Sequence, residues 1–174
     1  MVCLGILWNG MQEHLDCAIE DIKQYGEILN CFTINLNYAY ENFVRDIYAQ
    51  DEIADWKVDK KIETMFQCSD NRKVSIVIID IETSKMAYHD KKKRMVFVNL
   101  ENMKTEIRKK YSQIITPYFF DNVFHVTDDE KEYKNDLLVV NSYCEKGFNL
   151  EKVEFNKKNI KVLKKENKSN EIKE

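Results

Sequence analysis

The chain has 174 residues, of which 44% are hydrophobic, and its 27 basic and 30 acidic residues give a net charge of −3. This length suits one ordinary domain, and the apolar content can fill a core, which excludes wholesale disorder. No apolar run is long enough for a membrane span, and the balanced charge gives no strong signal for nucleic-acid binding. Five cysteines without metal-ligand spacing, and a first segment without signal-peptide features, predict reduced thiols in a cytoplasmic protein.

Hydrophobic patterning predicts alternating strands and helices in the first part of the chain. Residues 2–8 form a short apolar run typical of a buried strand, and apolar spacings of three and four residues predict a helix over 11–25. Partial alternation indicates a second strand over 27–36. Two helices are predicted next, over 38–48 and over 56–66.

The strongest predicted strand lies in the middle of the chain. Lys73–Ile81 reads KVSIVIIDI, and this continuous apolar character favours a central position in a sheet. An irregular basic segment over 82–94 follows it. A small extra strand over 95–98 and a helix over 102–111 are predicted after that segment.

The last predicted elements are a strand over 122–126 and a helix over 127–144, which Thr127 and Glu130 begin as a T-x-x-E capping box. With only one proline and four glycines, the chain is poor in turn signals. The order of elements predicts an α+β ferredoxin-like sandwich over 1–150, a four-stranded antiparallel sheet with helices chiefly on one face. A Lys/Asn/Glu-rich extension over 151–174 is expected to be solvated, with one short strand near 153–155.

One histidine stands out for its position between two predicted elements. His125 closes a short strand just before a helix, where backbone N–H groups and the helix dipole favour phosphate. Imidazole can also carry a phosphoryl group at neutral pH. Without its flanking residues, the same histidine would be interpreted as a structural residue that hydrogen-bonds a neighbouring carbonyl group.

The flanking residues give this histidine a family context. Asn122, His125, Thr127 and Asp128 resemble the nucleoside diphosphate kinase signature Asn-x-x-His-Gly-Ser-Asp-Ser, which a helix with an acidic residue follows. The resemblance implies that His125 takes the γ-phosphoryl group of a nucleoside triphosphate as phosphohistidine and passes it to an unidentified acceptor. It also implies that Thr127 orients the imidazole through an acidic partner, that Mg²⁺ arrives with the nucleotide, and that the chain forms a homo-oligomer.

The same resemblance implies a set of nucleotide-binding residues. Arg108, within Ile-Arg-Lys-Lys-Tyr, would grip the phosphates, and Asn122 would contact the ribose or the phosphates. Tyr48 would support the site, and Trp56 would stack on the base. Arg94, or a lysine of the run 91–93, would supply a second cation.

Two departures from the family pattern keep a second function open. Val126 replaces the family glycine, and the first strand ends Trp-Asn-Gly without the lysine that the family places there. The alternative to an enzyme is therefore a non-catalytic module of the same fold that binds a nucleotide or a protein.

Overall fold

The structure is a computed structural model and describes residues 1–153. The strands of this part are β1 (Val2–Leu7), β2 (Gly26–Asn35), β3 (Lys73–Ile81), β4 (Met86–His89), β5 (Arg94–Phe97), β6 (Phe124–Val126) and β7 (Asn149–Lys152). Its α-helices are α1 (Leu15–Lys23), α2 (Tyr40–Tyr48), α3 (Asp55–Cys68), α4 (Val98–Tyr111) and α5 (Glu130–Glu145).

The main sheet is antiparallel throughout, with the strand order β6-β1-β3-β2-β7. The α+β antiparallel class is confirmed, and so is the central position of β3. The sheet has five strands within residues 1–153 rather than the four predicted, because β7 pairs with the outer edge of β2. The strand β7 ends at Lys152, so it crosses the boundary predicted at residue 150. Residues 154–174, with most of the predicted extension, lie outside the described residues.

Helices cover both faces of this sheet, so the prediction that they lie chiefly on one face is wrong. Alternate residues of β1 are apolar on both sides: Cys3 and Leu7 pack with α1 and α4, whereas Leu4 and Ile6 pack with α2, α3 and α5. A strand that is buried on both faces needs a cover on each. Two hydrophobic cores result, one above and one below the sheet.

The basic segment that was expected to be irregular forms a hairpin. Among residues 1–153, strands β4 and β5 pair only with each other. The pair leads directly into α4, which begins four residues earlier than predicted. The helix α3 is also longer than predicted at both ends. No helix within the described residues is long and apolar enough to cross a membrane.

The start of the last helix differs from the predicted capping box. The N-cap is Asp129, whose side chain accepts a hydrogen bond from the Glu132 N–H, and the Glu132 carboxylate accepts one from the Asp128 N–H. Thr127 instead accepts a hydrogen bond from the Leu4 N–H at 3.0 Å. Its hydroxyl therefore links the end of β6 to β1 and does not cap the helix, because it bonds to a residue 123 positions earlier in the chain.

Candidate active site

The imidazole of His125 is held between the sheet and α5. His125 lies opposite Ile6 in the β1–β6 pair, and its Nε2 is 2.7 Å from Oδ2 of Asp136, which lies eleven residues further along the chain on α5. The side chains are 14% and 9% exposed, respectively. The pair is thus mostly shielded from water, and His125 keeps a small accessible surface.

This contact decides which nitrogen of His125 carries the hydrogen. A carboxylate only accepts hydrogen bonds, so the Nε2 of His125 carries the hydrogen that Asp136 accepts. In the neutral ring the lone pair then lies on Nδ1. The Tyr48 hydroxyl is 3.5 Å from Nδ1, at the limit of a hydrogen bond, and the Tyr48 ring meets the imidazole edge-on at 5.4 Å between centroids. Nδ1 is consequently the ring nitrogen whose lone pair is not used by the contact to Asp136.

The surroundings of His125 are acidic. Burial raises the pKa of the Asp51 carboxyl, the Asp136 charge raises it further, and His125 lowers it. Burial also raises the pKa of Glu132, whose carboxyl is influenced by Asp51 and His125 as well. A phosphate bound at His125 therefore needs nearby cations to offset these carboxylates.

Arg108 is one such cation and lies beside the strand that carries His125. Its Nε donates a hydrogen bond to the Phe124 carbonyl at 3.0 Å, and its Nη1 is 3.1 Å from Oδ2 of Asp121. The arginine is thus near the histidine in space, as the resemblance implies. Its guanidinium already has two partners here.

Lys61 is a second cation, and the sequence reading overlooked it. Its side chain on α3 is fully buried, and Nζ donates a hydrogen bond to the Phe120 carbonyl at 2.6 Å. Nζ also lies 4.8 Å from the centre of the Tyr48 ring and 5.3 Å from that of Trp8. Burial lowers the pKa of Lys61 well below its ordinary value. Since Tyr48 and Trp8 both also contact the His125 ring, the lysine and the imidazole share the same aromatic neighbours.

Asn122 is buried and holds the loop that precedes β6. Its Nδ2 donates to the Pro117 carbonyl at 3.0 Å, and its Oδ1 accepts from the Phe119 N–H at 3.2 Å. The amide therefore fixes the path of the chain toward His125, and its role toward a ribose or phosphate stays a prediction. Thr127 likewise contacts backbone, and Asp136 alone provides the acidic contact to the imidazole among the described residues.

The structure places Trp56 and Arg94 apart from these contacts. Trp56 lies in the first turn of α3 with 59% of its surface exposed, beside the ammonium of Lys57. Arg94 forms an ion pair with Asp128. Neither shares a described hydrogen bond or ring contact with His125, so their nucleotide-binding roles stay predictions.

Asp128 belongs to a second charged cluster, which we call the Asp128 network. Its members, besides Arg94, are Lys92, Glu101 and Lys104, linked by ion pairs to one another and to Asp128. The Lys104 side chain is only 4% exposed, and burial lowers its pKa to about 8. The network joins the hairpin and α4 to the segment just before α5.

No protein-family model matches the chain, and neither does any curated protein. Among solved structures, the chain is similar to the nucleoside diphosphate kinase of Aquifex aeolicus, with 13% identity, a TM-score of 0.49, and 80% of this chain and 93% of that chain covered. It is also similar to the nucleoside-diphosphate kinase of Borrelia burgdorferi with bound vanadate and ADP, with 14% identity, a TM-score of 0.47, and coverage of 80% and 85%. These are similarities of fold.

Proposed function

We propose that this chain is a nucleotide-dependent phosphotransferase that carries the phosphoryl group on Nδ1 of His125. The observation that supports this most strongly is the 2.7 Å contact between Nε2 and Asp136, which fixes the hydrogen on Nε2 and leaves Nδ1 its lone pair. A partly accessible imidazole that a carboxylate orients, with its lone pair on Nδ1, is the arrangement that nucleophilic catalysis requires.

The reaction would proceed in two displacements. Nδ1 of His125 attacks the γ-phosphorus of a nucleoside triphosphate, an N–P bond forms, and the bond to the β-phosphate oxygen breaks, so that the nucleoside diphosphate leaves with the electron pair. An acceptor oxygen then attacks the phosphohistidine and releases the imidazole. Asp136 stabilises the positive charge that the ring gains when Nδ1 is phosphorylated, because it keeps its hydrogen bond to Nε2 throughout.

Charge stabilisation is the remaining task of the site, since phosphoryl transfer depends mainly on positioning and on offsetting negative charge. Arg108 would bind the phosphates, and Tyr48 would hold the imidazole ring edge-on. Asn122 would act by fixing the loop before β6, and Thr127 by tying β6 to β1. Trp56 would serve as a platform for the base, and Arg94 as an outlying cation.

Mg²⁺ fits this proposal as a companion of the nucleotide. Among residues 1–153, no group of three or more His, Cys, Asp or Glu side chains is arranged to hold a metal ion. The phosphate oxygens of the nucleotide and water would therefore supply most of the Mg²⁺ ligands, as is common in sites that bind nucleotides. The ion would neutralise phosphate charge near the acidic surroundings of His125.

Phosphohistidine formation tests the proposal directly. The protein is incubated with γ-labelled ATP and Mg²⁺, and label that is stable to base and labile to acid is measured on the chain. The His125→Ala variant should lose this label completely, and Asp136→Asn should slow its formation by about 100- to 1,000-fold.

The His14→Ala variant is the matched control, since His14 lies in the turn before α1 with Tyr111 as its ring neighbour. It should label like the wild type. Absence of label on the wild type, or equal labelling of the His125→Ala variant, would contradict the proposal.

A further inference from the structure

The two cations of the site are occupied by consecutive residues of one loop. The Phe120 carbonyl accepts the hydrogen bond of Lys61 Nζ at 2.6 Å, and the Asp121 carboxylate lies 3.1 Å from Arg108 Nη1. The Tyr118 hydroxyl donates to the other carboxylate oxygen of Asp121 at 2.9 Å. We call residues 118–121 the cap loop.

Lys61 lacks the partner that a buried ammonium group needs. None of the ion pairs in the described part of the chain includes Lys61; its close neighbours are a carbonyl group and the rings of Trp8, Tyr48 and Phe120. A buried charge without an opposite charge is unfavourable, because carbonyl groups and rings offset only part of the lost hydration. A bound phosphate would provide an opposite charge and so favour the protonated form of Lys61.

Arg108, Asp121 and Lys61 act on one another electrostatically. Burial has the largest effect and lowers the pKa of Lys61; the Asp121 charge raises this pKa, and the Arg108 charge lowers it further. A polyphosphate that bound Arg108 would be repelled by Asp121, so the carboxylate has to move aside when the ligand binds. A movement of Asp121 would also shift the adjacent Phe120 carbonyl away from Lys61.

The backbone of the cap loop adopts an uncommon conformation at these two residues. Phe120 has φ +43° and Asp121 has φ +53°, in the left-handed region that a residue with a bulky side chain rarely adopts. Such a conformation persists only while surrounding contacts hold it. The contacts to Lys61 and Arg108 are among those that hold it here, and a ligand able to replace both would release the loop.

We propose that the cap loop occupies Lys61 and Arg108 in the free protein, with the Asp121 carboxylate in the place of a phosphate, and that the polyphosphate of a nucleotide displaces it. This inference rests on the proposed function and adds Lys61 to the residues that bind the substrate. It also makes Asp121 a competitor of the substrate. Binding of a polyphosphate and opening of the loop are thus one coupled event.

The test compares the affinity of variants for inorganic triphosphate and for ATP by calorimetric titration. Asp121→Asn removes the competing charge and should tighten binding of both ligands by about tenfold, the size expected for one charge-assisted hydrogen bond. Tyr118→Phe should shift affinity in the same direction by less. Combining Lys61→Met with Asp121→Asn should cancel the gain.

Asp59→Asn is the matched control, because Asp59 forms a comparable surface ion pair with Arg45 at 2.7 Å and the change in net charge is the same. It should leave both affinities unchanged. If the wild type and the Asp121→Asn variant bound both ligands with equal affinity, the proposed competition by the cap loop would be overturned. An equal gain in affinity in the Asp59→Asn control would overturn it as well.

Labelling of His125 in parallel separates this inference from the proposed function. Tighter binding by Asp121→Asn without phosphohistidine would support the cap loop and contradict phosphotransfer. Phosphohistidine formation with unchanged affinities would support phosphotransfer and contradict the role of the cap loop. If neither the wild type nor the Asp121→Asn variant binds triphosphate at millimolar concentration, both are overturned.

Discussion

Lys61 and Lys104 are both buried lysines, but the chain satisfies them in opposite ways. Lys104 lies among two carboxylates and two further cations, in a network whose charges nearly cancel. Lys61 has a carbonyl group and aromatic rings as its close neighbours. The charges of the Asp128 network therefore have partners within it, whereas Lys61 has no ion-pair partner among the described residues. A buried lysine alone indicates neither function nor structure; its partners distinguish the two.

Removing a carboxylate from the Asp128 network should have the largest effect on stability. In Asp128→Ala, Lys104 keeps Glu101 but loses its closer partner, so the free energy of unfolding should fall by about 3–5 kcal/mol. Urea denaturation measures this change. The Asp59→Ala variant, which breaks an exposed pair, should lose less than about 1 kcal/mol. Equal losses would show that the network is no more than a set of surface ion pairs.

Lys61→Met should increase stability, in contrast to Asp128→Ala. It replaces a buried cation by an apolar side chain of similar length and leaves no carboxylate without its partner, so the free energy of unfolding should rise by about 1–2 kcal/mol. The same denaturation experiment applies, with Lys60→Met on the exposed side of α3 as the control. A loss of stability in Lys61→Met would indicate that the lysine is a structural anchor of the cap loop.

The pH dependence of stability offers a third comparison. The pKa of Lys104 is about 8 in the folded chain, against an ordinary value of 10.5, so the unfolded chain binds more protons between these values. Stability should therefore rise with pH, by about 1 kcal/mol between pH 8 and 9.

The contribution of Lys104 is the difference between the wild type and Lys104→Met, measured by denaturation at each pH. Above pH 9 the Cys3 thiol lowers the stability of both proteins as pH rises, because burial raises the pKa of this thiol to about 11. If the free energy of unfolding changed equally with pH in the two proteins between pH 8 and 9, the expected titration of Lys104 would be contradicted.

Arg94→Ala should have the smallest effect. Arg94 is the most exposed cation of the Asp128 network, and such an ion pair contributes about 0–1 kcal/mol to stability. Because its guanidinium binds Asp128, we expect the affinity for ATP to change by less than about twofold. Calorimetric titration checks this, and a tenfold loss would place Arg94 at the nucleotide after all.

Within the described residues, local sequence patterns predicted β1, β2, β3, β5 and β6 to within two residues of their bounds, but they missed β4 and β7. The continuous apolar run of Lys73–Ile81 determines both the bounds of β3 and its central position. The same patterns could not reveal that Thr127 bonds to Leu4, since that partner is remote in the sequence. They also left open which acidic residue of α5 would reach His125, because the answer depends on how the helix packs.

The buried lysines did leave a signal in the sequence. Lys61 lies three residues after Val58 and four before Met65, on the apolar stripe of α3. Lys104 occupies the same kind of position between Leu100 and Ile107 on α4. A cation on such a stripe is expected to be buried, so spacing alone could have identified both. Nothing local could have told which of them has carboxylate partners.

The short strand β7 has a consequence for how the molecule behaves in solution. Its four residues are exposed, yet they pair with the outer edge of β2, and the Val153 N–H extends this pairing to the Cys31 carbonyl. An uncovered edge of that length would be a template for strands of other molecules. The charged residues of β7, Glu151 and Lys152, make the outer strand a poor template for further pairing. The start of the hydrophilic extension thus protects the sheet against aggregation.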